Sequence, residues 1–332
     1  MNTSFPVIIC DDSSLARKQM ARALQGWNVS ITFAEHGAEA LDAIHQGKGD
    51  LLFLDLNMPF MDGYQLLECI KREDLPTMVI VVSGDIQPDA YKRVKNMGAL
   101  DFIKKPINAN HVNDVLHQYG LASEIGEIEL AEQLPTDMTS DLQGYYQELS
   151  NVAMGQAADR LARLLKVFVK QPIPRVALIS ANELNMILLS HSNDDNGAIV
   201  SQGFISSGIA GEVLLMFSES CIHDMAKLLK YEDAINNEAE KEILVDLANV
   251  LSGAFLNSFA NQLDINFSQN APAILSLSEA MNEDNDTQQR WDKTLSIEIG
   301  YHIEEFSIKC DLLLLFTEDS LDALNERAQY FE

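Results

Sequence analysis

Five apolar segments, each followed by a stretch of helical period, fill the first 121 residues, and that alternation narrows the fold more than any other feature. Strands are predicted at Val7–Cys10, Val29–Ala34, Leu51–Asp55, Met78–Ser83 and Leu100–Lys104. Helices are predicted at Ser14–Gln25, Ala38–His45, Tyr64–Arg72, Asp89–Asn96 and Asn110–Gly120. Near-continuous apolar strands are those of a parallel sheet covered on both faces. Their alternation with helices predicts a doubly wound α/β sheet of five strands, with its site beyond the carboxyl ends of the strands.

Polar side chains fall at those ends. Asp11 and Asp12 close the first strand, Asp55 the third, Ser83 the fourth and Lys105 the fifth. Carboxylates gathered at one rim repel each other unless a cation sits among them, and oxygen ligands with room for water suit Mg²⁺. One carboxylate is then placed to attack a phosphoryl donor, while the metal and the lysine neutralise the developing charge. Ser83 is placed to hydrogen-bond the phosphoryl oxygens.

The segments IICDDS, FLDLNMP..DG, VVSGD and DFIKKP resemble the CheY-like receiver domain of two-component response regulators, a flavodoxin-like fold, over residues 5–121. The resemblance implies that Asp55 is the phosphoacceptor and that Asp11, Asp12, Asp55 and the backbone of Asn57 hold Mg²⁺. It also implies that Lys105 contacts the phosphoryl group, that Ser83 and Phe102 form a switch pair, and that Lys105-Pro106 is a cis peptide. A cognate histidine kinase is the implied phosphodonor. The resemblance implies that phosphorylated receivers pair through the face around the fourth and fifth helices, where Lys92, Arg93 and Lys95 of the fourth helix and Asp101 at the fifth strand suggest a homodimer contact.

Residues 122–139 are acidic, contain no base and read as a linker or a frayed helix. The domain boundaries expected are therefore 1–121, 122–139 and 140–332. In the last part, long helices are predicted at Tyr145–Phe168 and Glu238–Leu263 and shorter ones near Cys221–Lys230 and at Glu318–Phe331. Strands are predicted at Val176–Ile179, Met186–Ser190, Ile199–Ile205, Val213–Phe217, Ala273–Ser278, Leu295–His302 and Phe306–Phe316. Two helix-then-sheet halves suggest an internal duplication packed as one α/β unit.

A repeated spacing supports the duplication. Glu148-x2-Asn151-x22-Pro174 recurs as Asp246-x2-Asn249-x22-Pro272. Residues three apart share a helix face, so each copy presents a carboxylate beside a carboxamide. The doubled pattern resembles the CheC/CheX/FliY family of response-regulator phosphatases, over residues 140–332. The resemblance implies a pseudo-duplicated α/β domain with Glu148, Asn151, Asp246 and Asn249 as its catalytic residues. It implies that Asn151 orients the attacking water and that Glu148 pairs with a receiver lysine. Gly144 stands where the family has Asp or Ser, and Asp246 where it has Glu. The shorter Asp246 favours the first copy as the active one.

Charge limits the partners. The 332-residue chain carries a formal net charge of -27; residues 1–121 hold 15 acidic and 11 basic side chains, the remainder 35 and 12. So acidic a second part, with no basic recognition helix, argues against nucleic acid. No apolar run reaches the roughly eighteen residues a membrane span needs. The start Met1-Asn2-Thr3-Ser4 lacks a basic leader. The scattered Cys10, Cys69, Cys221 and Cys310 read as reduced thiols of a cytoplasmic protein.

Two functions follow as expectations. One is a response regulator, phosphorylated on Asp55, whose output domain hydrolyses phosphoaspartate on CheY-like receivers, in trans or on its own receiver, in chemotaxis or two-component signalling. The other is a non-catalytic adaptor or phosphate sink that binds signalling or flagellar-switch partners.

Overall fold

The computed structural model describes residues 4–127, 142–191, 198–229, 237–275, 294–303, 306 and 308–329. The chain divides into two compact units, Met1–Glu148 and Leu149–Glu332. Most of the expected acidic linker, and the end of the strand expected to reach Ser278, lie outside the described residues.

The first unit runs β1 (Phe5–Cys10), α1 (Ser14–Ala23), β2 (Val29–Ala34), α2 (Gly37–His45), β3 (Leu51–Leu54), α3 (Gly63–Glu73), β4 (Met78–Ser83), α4 (Pro88–Met97), β5 (Asp101–Lys104), α5 (Ala109–Gln118) and α6 (Leu121–Ile125). The strands form a parallel sheet in the order β2-β1-β3-β4-β5. Every predicted strand and helix of this unit is present, with no end shifted by more than two residues. Each face of the sheet has its own apolar core. Ile8, Leu52, Leu54 and Val81 pack toward α2 and α3. Val7, Ile9, Phe53 and Val82 pack toward α1 and α5. Strand residues alternate between faces, so a doubly covered strand reads as one continuous apolar run.

Helix α6 was not anticipated. Its Leu121 and Ile125, one turn apart, are buried in the second of these cores. Gly126 O then accepts from Asn28 N at 2.9 Å, and Glu127 bridges to Trp27. The acidic stretch thus begins packed on the sheet unit, anchored by its two apolar residues.

Helix α7 (Leu142–Leu165) begins in the first unit and continues into the second. The second unit then runs β6 (Arg175–Ile179), α8 (Ala181–His191), β7 (Ala198–Ser206), β8 (Ile209–Phe217), α9 (Glu219–Leu228), α10 (Asn237–Gln262), β9 (Ser268–Gln269), β10 (Ala273–Leu275), β11 (Thr294–Ile303), β12 (Ile308–Phe316) and α11 (Ser320–Gln329). Its sheet has the order β10-β7-β8-β12-β11-β6, with β9 beside β7, and its pairings are antiparallel. Exchanging β6 with β10, β7 with β11 and β8 with β12 returns the same order read from the other edge.

The segment Met186–Ser190, expected as a strand, lies inside α8. A five-residue apolar run does not by itself separate strand from helix. The deciding signal lies upstream. Ser180 N donates to Glu183 Oε2 at 2.8 Å and Glu183 N to Ser180 Oγ at 3.4 Å, the reciprocal capping that starts a helix.

Helix α8 covers one face of the antiparallel sheet, with Leu184 and Leu188 against Leu214, Leu313 and Leu315. The other face carries aromatic contacts, Phe259 of α10 lying 5.7 Å from Phe316 of β12 between ring centroids. Gln262 Nε2 donates to Leu149 O at 3.0 Å and ties α10 to α7. By length and composition α10 would pass as a membrane span, but 67% of its apolar window is buried within the protein, as in a core helix.

Candidate functional site

The first unit's site grows from its strand ends. Asp11 N donates to Ala34 O at 3.1 Å, Asp55 N to Cys10 O at 2.9 Å and Lys105 N to Ser83 O at 3.0 Å. The ladder therefore extends one residue past the strands and fixes the backbone of each polar group. Gly63, which opens α3, passes close beneath the site, since a Cβ there would lie 2.3 Å from Asp55 O.

Asp11, Asp55, Ser83 and Lys105 are all buried, with Asp55 3% exposed. Lys105 Nζ lies 2.8 Å from Asp11 Oδ2, 3.2 Å from Asp55 Oδ1 and 3.3 Å from Glu148 Oε1. An ammonium has three donors, and three carboxylates receive them. Asp55 Oδ2 accepts from Asn57 N at 2.7 Å, and Asp11 Oδ1 from Ser13 N at 2.9 Å. Ser83 Oγ accepts from Asp85 N at 3.2 Å. The Lys105-Pro106 peptide is cis.

Burial and crowding set the protonation. Burial, and then Asp55 beside it, pushes Asp12 up to about 7. Burial likewise raises Asp11 well above the usual carboxylate range, although Lys105 pulls the other way. Burial lowers the Lys105 ammonium, but Asp11, Asp55 and Glu148 outweigh it and raise it well above its ordinary value. Four acids therefore share one base.

The donor chemistry fits a hard cation. Asp12 Oδ1 is buried and has no hydrogen-bond partner among the described residues, and the excess negative charge is what a divalent ion relieves. No three acidic, histidine or cysteine side chains among the described residues already form a metal cage; Lys105 lies between Asp11 and Asp55.

The switch candidates are both inside. Phe102 is 7% exposed and its ring meets Tyr91 edge-on at 6.0 Å. The charges expected to support pairing have partners within the chain. Lys95 Nζ lies 3.6 Å from Asp101 and Lys92 Nζ 3.4 Å from Asp89, and Arg93 stacks 4.2 Å over Tyr64.

The two repeated motifs differ. Glu148 and Asn151 are each 5% exposed on α7, and Asn151 Oδ1 accepts no hydrogen bond among the described residues. Asp246 and Asn249 are exposed on α10. Pro174 immediately precedes β6, and Pro272 immediately precedes β10. Sequence reasoning missed Gln147, whose Nε2 lies 3.3 Å from Asp12 Oδ2. A single amide on a long helix carries no signal of such a role.

Known proteins resemble parts of this chain. Residues 7–117 match the model of the response regulator receiver domain. The DNA-binding transcriptional regulator NtrC of Escherichia coli K12 is 36% identical over 102 residues, 31% of this chain and 22% of that protein. A protein-glutamate methylesterase/protein-glutamine glutaminase of Geobacter sulfurreducens is 38% identical over 102 residues, 30% of this chain and 27% of that protein. The chain thus spans about a quarter or less of these relatives. Among solved structures, Thermotoga maritima FliY is similar over 59% of this chain and 99% of its own, at 17% identity and a TM-score of 0.43.

Proposed function

We propose, from the premise that residues 7–117 are a response regulator receiver domain, that Asp55 accepts a phosphoryl group and that the chain hydrolyses phosphoaspartate. The observation that carries the reading is the contact of Glu148 with Lys105 at 3.3 Å. A carboxylate placed on the one lysine of a phosphoacceptor site fixes the register of the helix that bears it. One turn further along that helix is Asn151, whose buried Oδ1 accepts no hydrogen bond among the described residues and is left to take one from a water.

In the proposed reaction a water oxygen attacks phosphorus. The P–O bond to the phosphorylated aspartate breaks, its electrons return to the carboxylate, and both hydrogens of the water leave on inorganic phosphate as H2PO4⁻. Positioning dominates such transfers, and Asn151 is the positioning group. Mg²⁺ would be held by Asp11, Asp12, Asp55 and the carbonyl of Asn57, and would neutralise phosphoryl charge when bound. A histidine kinase is the proposed phosphodonor, a CheY-like receiver, separate or the chain's own, the substrate and the cytoplasm the compartment.

The second unit is proposed to be a duplicated CheC-like domain. Support comes from the exchange symmetry of its strand order and from Pro174 and Pro272, each set just before a matching strand. The shorter Asp246 favours a second reading for that copy, a binding surface without catalysis. A phosphate-release assay with a phosphorylated free-standing receiver tests the function. Release that depends on Asn151 supports it; release no faster than the receiver alone, together with an Asp55 label on this chain that decays equally fast in Asn151→Ala, overturns it.

A further inference from the structure

We infer that the phosphoaspartate served by Glu148 is Asp55 of its own chain, so that the protein limits the lifetime of its own phosphorylated state. The inference rests on the phosphatase reading and adds which phosphoryl group is hydrolysed.

Gln147 and Glu148 both belong to the first unit, and both touch its phosphoacceptor site. Gln147 Nε2 reaches Asp12 Oδ2 at 3.3 Å, and the Glu148 carboxylate reaches Lys105 at 3.3 Å with both oxygens. The ion pair is dry, its side chains 1% and 6% exposed. Taking one partner out of a buried pair leaves the other charge buried and uncompensated, a cost that separating a surface pair does not carry. A second receiver seeking Glu148 would first have to displace Lys105 of the same chain. An intramolecular partner also acts at an effective concentration on the order of millimolar or more. Phosphorylation keeps this arrangement workable. A phosphoryl oxygen replaces the Asp55 carboxylate as one of the three acceptors around Lys105, and Asp11 and Glu148 keep the other two.

The test phosphorylates the full chain with a small donor in Mg²⁺, removes the donor and follows the Asp55 label. The expected decay is first-order and unchanged from low to high protein concentration. Glu148→Ala should slow it on the order of tenfold. Added Asp55→Asn chain, which has an intact Glu148 and Asn151 but cannot be labelled, should not restore the rate. Restoration by that chain, or decay that quickens with concentration, would overturn the inference while leaving the phosphatase intact. Unchanged decay in Glu148→Ala with continued hydrolysis of a separate receiver would do the same. Unchanged decay in both Glu148→Ala and Asn151→Ala, with no hydrolysis of any receiver, would overturn the phosphatase reading as well.

Discussion

Lys105 and Glu148 stand 43 positions apart in the chain, yet the lysine ammonium and the glutamate carboxylate meet at 3.3 Å. The contact joins a group that ends a buried strand to one that belongs to a long helix. It is the closest link between the phosphoacceptor chemistry and the repeated acid–amide spacing.

Asp55→Asn should abolish labelling by a small phosphodonor in Mg²⁺. The carboxamide is nearly isosteric, so the Asn57 N–H contact and the fold should persist while the nucleophile is lost. Gel mobility on a phosphate-binding matrix, with circular dichroism as the folding control, checks this. Label that survives the substitution would place the phosphoacceptor elsewhere.

Asn151→Ala should lower phosphatase activity by about 10²-fold, because the water loses its positioning group. Asn249→Ala should cost much less, since Asp246, three residues before it, is one methylene shorter than a glutamate. Steady-state phosphate release from each variant decides the ranking, and equal losses would refute it.

Mg²⁺ should stabilise the chain. Four acids around one base strain the first unit without a counter-cation, and an ion that binds only the folded form adds about 1–3 kcal/mol at saturation. The midpoint of urea unfolding should rise with millimolar Mg²⁺ and fall again with chelator. Asp12→Asn should shrink the response. An Mg²⁺ effect of equal size in that variant would remove Asp12 from the ligand set.

Gly63→Ala should destabilise the first unit by roughly 1–3 kcal/mol through overpacking. The added methyl would lie 2.3 Å from the Asp55 carbonyl and 2.8 Å from Leu56 Cα, both backbone atoms that cannot swing aside. The same displacement should slow labelling of Asp55. Denaturation midpoints and labelling rates measured together test the coupling; a normal labelling rate in a destabilised variant would separate the glycine from the site.

The receiver site was legible because each of its residues caps a buried apolar run. A polar group at the end of a parallel strand has one place to go, so Asp11, Asp55, Ser83 and Lys105 could be assembled from the sequence alone. Helix α8 was not, because Met186–Ser190 is too short an apolar run to show a period and the informative pair, Ser180 and Glu183, precedes it. Gln147 was invisible for a different reason. Its contact with Asp12 depends on where α7 lies, which no local pattern encodes. The buried state of Asn151 against the exposed state of Asn249 was hidden likewise, since the two spacings are the same in sequence.

The order of the antiparallel sheet constrains how the second unit can come apart. Its edge strand β6 precedes β7 and β8 in the chain but pairs with β11, whereas β10 precedes β11 and β12 but pairs with β7. A cut between α9 and α10 would therefore strip each fragment of the neighbour that covers its hairpin, leaving an open ladder of unpaired amides and carbonyls on both pieces. Neither fragment should hold its shape alone, but the two mixed together should reconstitute the sheet. The halves are interlocked, and the unit must melt as a whole.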